Sequence, residues 1–297
     1  MDKRAIGIDI SKWDVSFEPN KATKPINFII QRATLGFQSG KIDKDEALDK
    51  LYEGVKKIEI RGAYGYLSSH SNWKAQADFF LNVVKNYDYQ FYACDFESAY
   101  NDMSAKFSQD ANLWMNYVAK ETNKKVLFYT NKSLYDSFGW LYCSEWPLWY
   151  AQYWNFPLLY KNPSLPKKRT SGEWSLWQWA SELNYKGHSK EYGCGAFSVD
   201  INDFNGTVAD MQDWLSNTTP PPPPPTITWY KVTNAPGLNV RSGAGVTFSI
   251  KYWMPNGTRF QVIDKINANG YIWLKLLNGG FSAEKYIAAN KIFAEAE

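Results

Sequence analysis

The sequence predicts a parallel α/β barrel, incomplete on one side, followed by a small all-β barrel. Three observations predict it. Over the first 215 residues, short apolar strands alternate with amphipathic helices. Between the later strands the helices drop out. Then six consecutive prolines, Pro220 to Pro225, break the chain, and only strands and turns resume after them.

The strands are expected at Ala5–Asp9, Asn27–Arg32, Gly62–Tyr66, Gln90–Phe96, Lys125–Tyr129, Pro147–Ala151, Ser175–Gln178 and Ala196–Asp200. Helices are expected at Lys44–Glu59, Trp73–Lys85, Ser104–Glu121, Lys132–Phe138 and Thr207–Leu215. In the first of these, Leu48, Leu51, Val55 and Ile58 share one face, the spacing of a helix that buries one side. Eight apolar strands with helices between them argue for a closed parallel barrel. The stretches 152–173 and 181–194 read as loops, so the helical layer should be open there. The proline run is a stiff spacer of about 19 Å in polyproline II geometry. After it, strands are expected at Trp229–Val232, Leu238–Arg241, Ile250–Trp253, Arg259–Ile263, Tyr271–Leu276 and Gly280–Ala283, with turns at Pro255-Asn256-Gly257 and Asn278-Gly279-Gly280. The domains are therefore 1–215, a linker at 216–227, and 228–290.

Composition narrows the function. The net charge is only +3 and no Lys/Arg stripe is present, which argues against a nucleic-acid binder. Aromatic residues make up 17% of the chain, with 14 Trp and 20 Tyr, enough both to fill a core and to leave rings for stacking on sugars. Residues 228–297 carry eight Lys/Arg against four Asp/Glu, whereas the rest carries twenty-five against twenty-six. A basic appendage on a neutral body fits docking to a polyanion, though a generic soluble surface looks similar. The start, Met1 to Asp9, runs straight into a strand with no apolar leader, and no apolar run is long enough to span a membrane. Synthesis in the cytoplasm and no membrane insertion are expected. Cys94, Cys143 and Cys194 lie about fifty residues apart and only His70 and His188 are present, so three reduced thiols and no metal or other cofactor are expected.

Acids at strand ends carry the chemistry. In Asp95-Phe96-Glu97 the two carboxyls point to one face of a strand, with carbons roughly 7 Å apart. Such a pair keeps one proton near neutral pH, as glycosidic cleavage requires, although alone it also fits a solvated strand end. Working residues of parallel barrels sit at the C-terminal ends of strands. Asp9 ends the first expected strand and Asp200 the eighth, and these neighbour each other in a closed barrel. Four acids then converge on one mouth. A divalent-metal site is the other reading of four acids, but no phosphate-binding loop accompanies them. Tyr64, Tyr66, Tyr129, Trp149, Tyr153, Trp177 and Trp179 crowd the same ends, each as well suited to core as to a sugar platform.

These residues resemble a known family. Gly7-Ile8-Asp9-Ile10-Ser11, Arg32-Ala33-Thr34-Leu35-Gly36, Gly62-Ala63-Tyr64, Asp95-Phe96-Glu97, Tyr129-Thr130-Asn131, Leu148-Trp149-Tyr150-Ala151-Gln152-Tyr153, Trp177-Gln178-Trp179 and Val199-Asp200 through Gly206 are similar, in order, to stretches of glycoside hydrolase family 25, the Chalaropsis-type muramidases. The resemblance implies a flattened barrel of eight strands and about five helices. It also implies cleavage of the β-1,4 bond between N-acetylmuramic acid and N-acetylglucosamine. Carried over by position, it implies Glu97, Asp95, Asp9 and Asp200 as catalytic residues. Tyr64, Tyr66, Tyr129, Trp149, Tyr153, Trp177 and Gln178 would bind substrate. The family often has His-Phe where this chain has Gly65-Tyr66, which alters one subsite. The tail, through Leu238-Asn239-Val240-Arg241-Ser242-Gly243, Asn256-Gly257-Thr258, Tyr271 to Lys275 and Gly280 to Ile287, resembles a bacterial SH3-type cell-wall-binding domain. Its candidate contacts are Trp229, Tyr252, Trp253, Tyr271, Trp273 and Phe281, some of which must instead form the core. Enzyme, linker and wall-binding domain together look like a bacteriophage endolysin. Such a protein would act as a monomer on peptidoglycan after holin-type release.

In the mechanism this implies, Glu97 is the general acid, its pKa raised by aromatic burial and by Asp95. Asp95 stays ionised and holds the 2-acetamido N–H, so that the acetamido oxygen attacks. Direct inversion, with Asp200 or Asp9 activating water, is the alternative. A family 18 chitinase motif wants acids where this chain has Gln90 and Ala93. A cysteine peptidase or zinc amidase needs a Cys–His pair or a histidine cluster that the spacing does not supply. A non-catalytic wall binder would not need all four acids.

Overall fold

The computed structural model describes residues 4–14, 16–99, 101–153, 162–169, 172–181, 187–195, 199–217, 228–277 and 279–296. The proline spacer and residues 196–198 of the expected eighth strand lie outside them. The chain divides into two compact units, Met1–Pro223 and Pro224–Glu297.

The first unit is a closed eight-stranded barrel. Its strands are β1 (Ile6–Ile10), β2 (Phe28–Gly36), β4 (Ile60–Tyr66), β5 (Phe91–Asp95), β6 (Lys125–Asn131), β7 (Leu148–Ala151), β8 (Trp174–Ala180) and β9 (Asp200–Phe204), and β1 pairs with β2 to close the ring. A short β3 (Ile42–Lys44) hangs antiparallel on β2. The helices are α1 (Leu48–Val55), α2 (Trp73–Val84), α3 (Ala105–Thr122), a helical stretch α4 over 132–142 and α5 (Val208–Ser216). Among the described residues no α-helix lies between β7 and β9, only the 3-10 turn His188–Tyr192, so the expected gap in the outer layer is there. Side-chain caps start several helices where the sequence supplies them: Asn72 accepts from Lys74 and Ala75 N–H, and Thr207 with Asp210 forms a capping box.

Two elements differ from expectation. The helix expected from Lys44 begins at Leu48, because Ile42–Lys44 pairs with β2 and the Asp45 carboxylate turns the chain by accepting from Ala47 N–H. The last barrel strand runs Asp200–Phe204 rather than ending at Asp200, and it is antiparallel to both neighbours, β1 and β8. Its inward residues Asp200 and Asn202 are polar, which hides a strand from an apolar-run search. Reversal still leaves Asp200 on the same rim. It is the first residue of β9 and pairs with Asp9, near the end of β1.

Strand parity builds the barrel interior. One face of each strand supplies an apolar floor that includes Ala5, Phe28, Ile30, Phe91, Ala93, Leu127, Leu176 and Phe204. Two residues past this floor come Arg32, Asp95, Tyr129 and Gln178, and four past Ala5, beyond Gly7, comes Asp9. Glycines make room for the floor. A Cβ on Gly7 would lie 2.4 Å from the Phe28 ring, and one on Gly62 2.4 Å from the Phe91 ring, each phenylalanine being the glycine's register partner on the next strand.

The second unit is an antiparallel sheet in the order β12 (Ile250–Pro255), β11 (Gly237–Arg241), β15 (Phe281–Tyr286), β14 (Tyr271–Leu276), β13 (Arg259–Ala268), β10 (Thr228–Val232) and β17 (Ala294–Ala296), with β16 (Lys291–Ile292) on β15. All six expected strands are present. Tyr230, Val232, Val240, Leu274 and Leu276 anchor its core. Trp273 belongs to the interior as well: it is 1% exposed and its indole N–H donates to Ala268 O, so it is not a surface contact. Trp229, Tyr252 and Trp253 are exposed, while Tyr271 and Phe281 are half-buried.

Gly62→Ala should destabilise the barrel by about 1–3 kcal/mol, since Phe91 must leave its place over the glycine. Urea denaturation of the two proteins would measure it.

Candidate active site

A cavity of about 180 Å³ opens above the apolar floor. Asp9, Asp95, Glu97 and Asp200 all line it, as do Tyr64, Tyr66, Tyr129, Trp149 and Gln178. Nine of the eleven residues expected at the site are thus brought together. Trp177 is not among them. Gln178 points inward, so its neighbour points out of the barrel, where Trp177 is buried and its indole donates to Gln152 O at 2.9 Å. Tyr153 is 45% exposed and reaches the site only through its hydroxyl, which donates to Gln178 Oε1 at 2.8 Å.

Five lining residues were not expected there: Ile10, Ser11, Trp13, Asp14 and Arg32. Arg32 carries a readable signal, since Phe28, Ile30 and Arg32 share one parity on a buried strand. Its Nε donates to Asp45 Oδ2 at 2.7 Å, and Asp45 is itself 1% exposed. Asn202, also unexpected, sits behind the cavity. Trp149 Nε1 donates to Asn202 Oδ1 at 2.7 Å, which turns the amide so that Nδ2 donates to Asp9 Oδ2, also at 2.7 Å. Beside the cavity runs a larger groove of about 540 Å³, lined by Leu35, Phe37 and Ala99 and sharing Trp13, Arg32 and Tyr66 with it. Tyr66 is pinned at the shared edge, its hydroxyl donating to Ala99 O.

Burial dominates the electrostatics. Asp9 is pushed up to about 7 by burial, against the amide donors of Asn202 and Gln178. Asp200 rises well above the carboxylate range through burial and the charges of Asp9, Asp14 and Glu97. Glu97 is raised by burial, opposed by the nearby Tyr129 hydroxyl and the Arg32 guanidinium. Asp95 is raised well above the carboxylate range, by burial and then by the charge of Glu97. The charge of one carboxyl opposes ionisation of the other, so the pair favours a single negative charge. Among the described residues Asp14 Oδ1, Arg32 Nη2 and Asp95 Oδ1 are buried without a hydrogen-bond partner. No group of three or more His, Cys, Asp or Glu is placed to hold a metal ion among those residues. Cys94, Cys143 and Cys194 are buried free thiols.

Such a cavity can protonate a leaving oxygen at one carboxyl and meet a developing positive charge with others, between aromatic walls that exclude water. The family comparison agrees. Residues 8–188 match the family model described as glycosyl hydrolases family 25. The chain belongs to that family. It is therefore a glycoside hydrolase. Among solved structures it is similar to a family 25 glycosyl hydrolase from Bacillus anthracis, at 20% identity and TM-score 0.56, covering 74% of this chain and 96% of that one. It is also similar to the catalytic domain of endolysin ply40 from bacteriophage P40 of Listeria monocytogenes, at 18% identity and TM-score 0.54, covering 72% and 98%. The spore cortex lytic enzyme SleM of Clostridium perfringens is similar at 19% identity and TM-score 0.54, covering 100% and 99%. At these identities the likeness establishes the shared fold of the family 25 barrel. No curated protein matches the chain. Among the described residues no helix of this family 25 chain is long and apolar enough to cross a membrane.

Asp14 offers a stability test. Burial, chiefly, pushes it up to about 8 from an ordinary 3.8. The folded chain then keeps a proton that the unfolded chain releases, so stability falls as pH rises through that window. Asp14→Asn removes this titration while leaving an oxygen to accept from Ser11 N–H. The variant should melt like the native protein near pH 4 and increasingly above it towards pH 8, as thermal melts across pH would show.

Proposed function

We propose that this family 25 enzyme is an N-acetylmuramidase that cleaves the β-1,4 bond between N-acetylmuramic acid and N-acetylglucosamine in bacterial peptidoglycan. The observation that carries the reading is the convergence of Asp9, Asp95, Glu97 and Asp200 on one aromatic-walled cavity. Glu97 is the general acid: it is raised by burial and lines the cavity. It protonates the glycosidic oxygen as the bond breaks. Asp95 assists the 2-acetamido group, its unpartnered Oδ1 left for the amide N–H. A neutral Asp95 can accept that N–H through its carbonyl oxygen, so the assistance does not require it to be charged. Asp9, whose Oδ2 accepts from two amide N–H groups, stabilises positive charge developing on the sugar. The adjoining groove gives room for the chain to continue past the scissile bond.

The reading extends to biology. Similar structures described as an endolysin and a spore cortex lytic enzyme support action on cell walls, and a phage endolysin used for host lysis fits the two-unit chain. In that role the enzyme is made in the host cytoplasm, is monomeric, binds no nucleic acid and reaches the wall through holin-type release. The C-terminal unit is an SH3-type wall-binding domain. Its exposed Trp229, Tyr252 and Trp253 are the contacts best placed to bind, with half-buried Tyr271 beside them in the candidate set. Tethering raises the local concentration of substrate without altering the chemistry.

Mass spectrometry of digested peptidoglycan tests the bond cleaved. New reducing ends at muramic acid are expected; new free amines would instead mark an amidase or peptidase. NMR of the first-formed anomer separates the routes: retention supports acetamido attack, and inversion assigns water to Asp9 or Asp200. Glu97→Gln should lower the rate by about 10²–10⁴-fold while wall binding persists. Removing the chain after Ser216 should weaken wall binding and lytic activity with the same products. Cosedimentation with purified walls and turbidity clearing would measure the two.

A further inference from the structure

Gln178 touches both halves of the acid cluster. A glutamine amide has four hydrogen-bonding positions, and here protein groups fill all of them. Nε2 donates to Asp9 Oδ2 at 2.9 Å and to Asp200 Oδ2 at 3.1 Å. Oε1 accepts from Tyr129 and Tyr153 hydroxyls, each at 2.8 Å. The opposite flip would set the amide oxygen against two carboxyl oxygens, so the orientation follows from the partners. The side chain is buried and has nothing left to offer a sugar.

We infer that Gln178 is a positioning residue that sets the order in which the four acids give up their protons. The inference rests on the muramidase reading only for the reaction it serves. At one end, Asp9 Oδ2 accepts from both Gln178 and Asn202, whereas among the described residues Asp200 Oδ2 takes a side-chain N–H from Gln178 alone. Two donors favour the ionised form, so Asp9 ionises first and Asp200, facing that charge, keeps its proton. At the other end, the Tyr129 hydroxyl carries a single hydrogen. It stands near enough to Glu97 to favour the carboxylate, yet its hydrogen bond goes to Gln178. While it does, Tyr129 gives no hydrogen to Glu97, and the proton stays on the general acid. When Glu97 delivers that proton to the leaving oxygen, rotation about the Tyr129 C–O bond turns the hydroxyl to the new carboxylate. Tyr153 continues to hold Gln178 Oε1. The other charged groups felt across the cluster are Arg32 from β2, Asp9 from β1, Asp14 just after it, Asp95 on Glu97's own strand end and Asp200 from β9.

Two variants with opposite expected signs test this. In Gln178→Met the Tyr129 hydroxyl is released to Glu97 and Asp9 loses a donor. Carboxyl ¹³C NMR should show the Glu97 midpoint down by about one pH unit and that of Asp9 up. The alkaline limb of kcat/KM should follow Glu97 down, and kcat should fall about tenfold with KM within about twofold. In Tyr129→Phe the ionised form loses its donor, so the Glu97 midpoint and the limb should move up. If Gln178→Met leaves the Glu97 midpoint in place, or raises KM at unchanged kcat, Gln178 is a substrate contact and the inference falls. If Gln178→Met does not fold, an unchanged or lowered Glu97 midpoint in Tyr129→Phe overturns it equally. The titrations need no substrate. Failure of the native enzyme to release reducing ends would refute the muramidase reading and leave this test standing.

Discussion

The site depends on β9, the strand that closes the barrel. Were β9 parallel like the other barrel strands, its first residue would lie at the opposite end, under the apolar floor. Running antiparallel between β1 and β8, it puts Asp200 opposite Asp9 and Asn202 opposite Gly7. A register slip of one residue would turn Asp200 and Asn202 out of the barrel and bring Ile201 in. Asp9 would then face neither its partner carboxyl nor the amide that holds it. The closure of the sheet and the assembly of the acids are thus one geometric event, and the helix-poor connections around β8 and β9 leave that seam free to form.

Burying several carboxyls in one cavity is costly unless each is neutral or hydrogen-bonded. Here the donors to Asp9 and Asp200 are the Gln178 and Asn202 amides, and aromatic side chains hold those amides in place. Tyr and Trp supply large apolar surfaces with one polar tip each. Trp149 packs against Tyr64 and Tyr129, with ring centroids 5.9 and 4.5 Å away, while its N–H orients Asn202. Tyr129 lies in the apolar cluster and still donates to Gln178. The aromatic residues therefore also form a low-dielectric wall that carries its own donors. The same wall raises Glu97 and Asp95, so the groups that make the cavity hard to fold are the ones that make it reactive.

Much of this was legible in the sequence because strand chemistry is local. Asp95 and Glu97 share a face by parity alone, and apolar runs followed by acids place the rim wherever the strands end. Arg32 was legible by the same rule, as an inward residue two steps past Ile30. What local reading could not supply was direction. The segment Asp200–Phe204 has polar inward residues, so its apolar signal is weak and the strand is mistaken for the loop that follows one. Asp200 was placed on the correct rim by an argument that had its strand reversed. Trp177 failed for a related reason. A tryptophan beside an inward glutamine looks like part of a cleft, but alternation sends it to the outer surface of the sheet, where it is buried by packing rather than exposed to ligand. In the second unit, Trp273 and Trp253 could not be told apart by type. One fills the core between strands and the other lies on edge strand β12.

The division of labour among the acids is where structure adds most to composition. Five carboxyls in one cavity could share charge in many ways, and residue type alone cannot choose among them. Hydrogen-bond counting narrows the choice, because amide and hydroxyl donors have fixed valence. Asn202 is turned by Trp149, and Gln178 is turned by two tyrosines and two carboxyls. Each therefore presents donors in one direction only. Among the described residues Asp9 receives two of them, Asp200 one, and Asp95 Oδ1 none. That gradient of donors, set by neutral side chains behind the cavity, leaves Asp95, like Asp14, with a buried oxygen open to a new partner. A substrate amide is the kind of group that meets this need, since it brings an N–H into a site where the protein has withheld one.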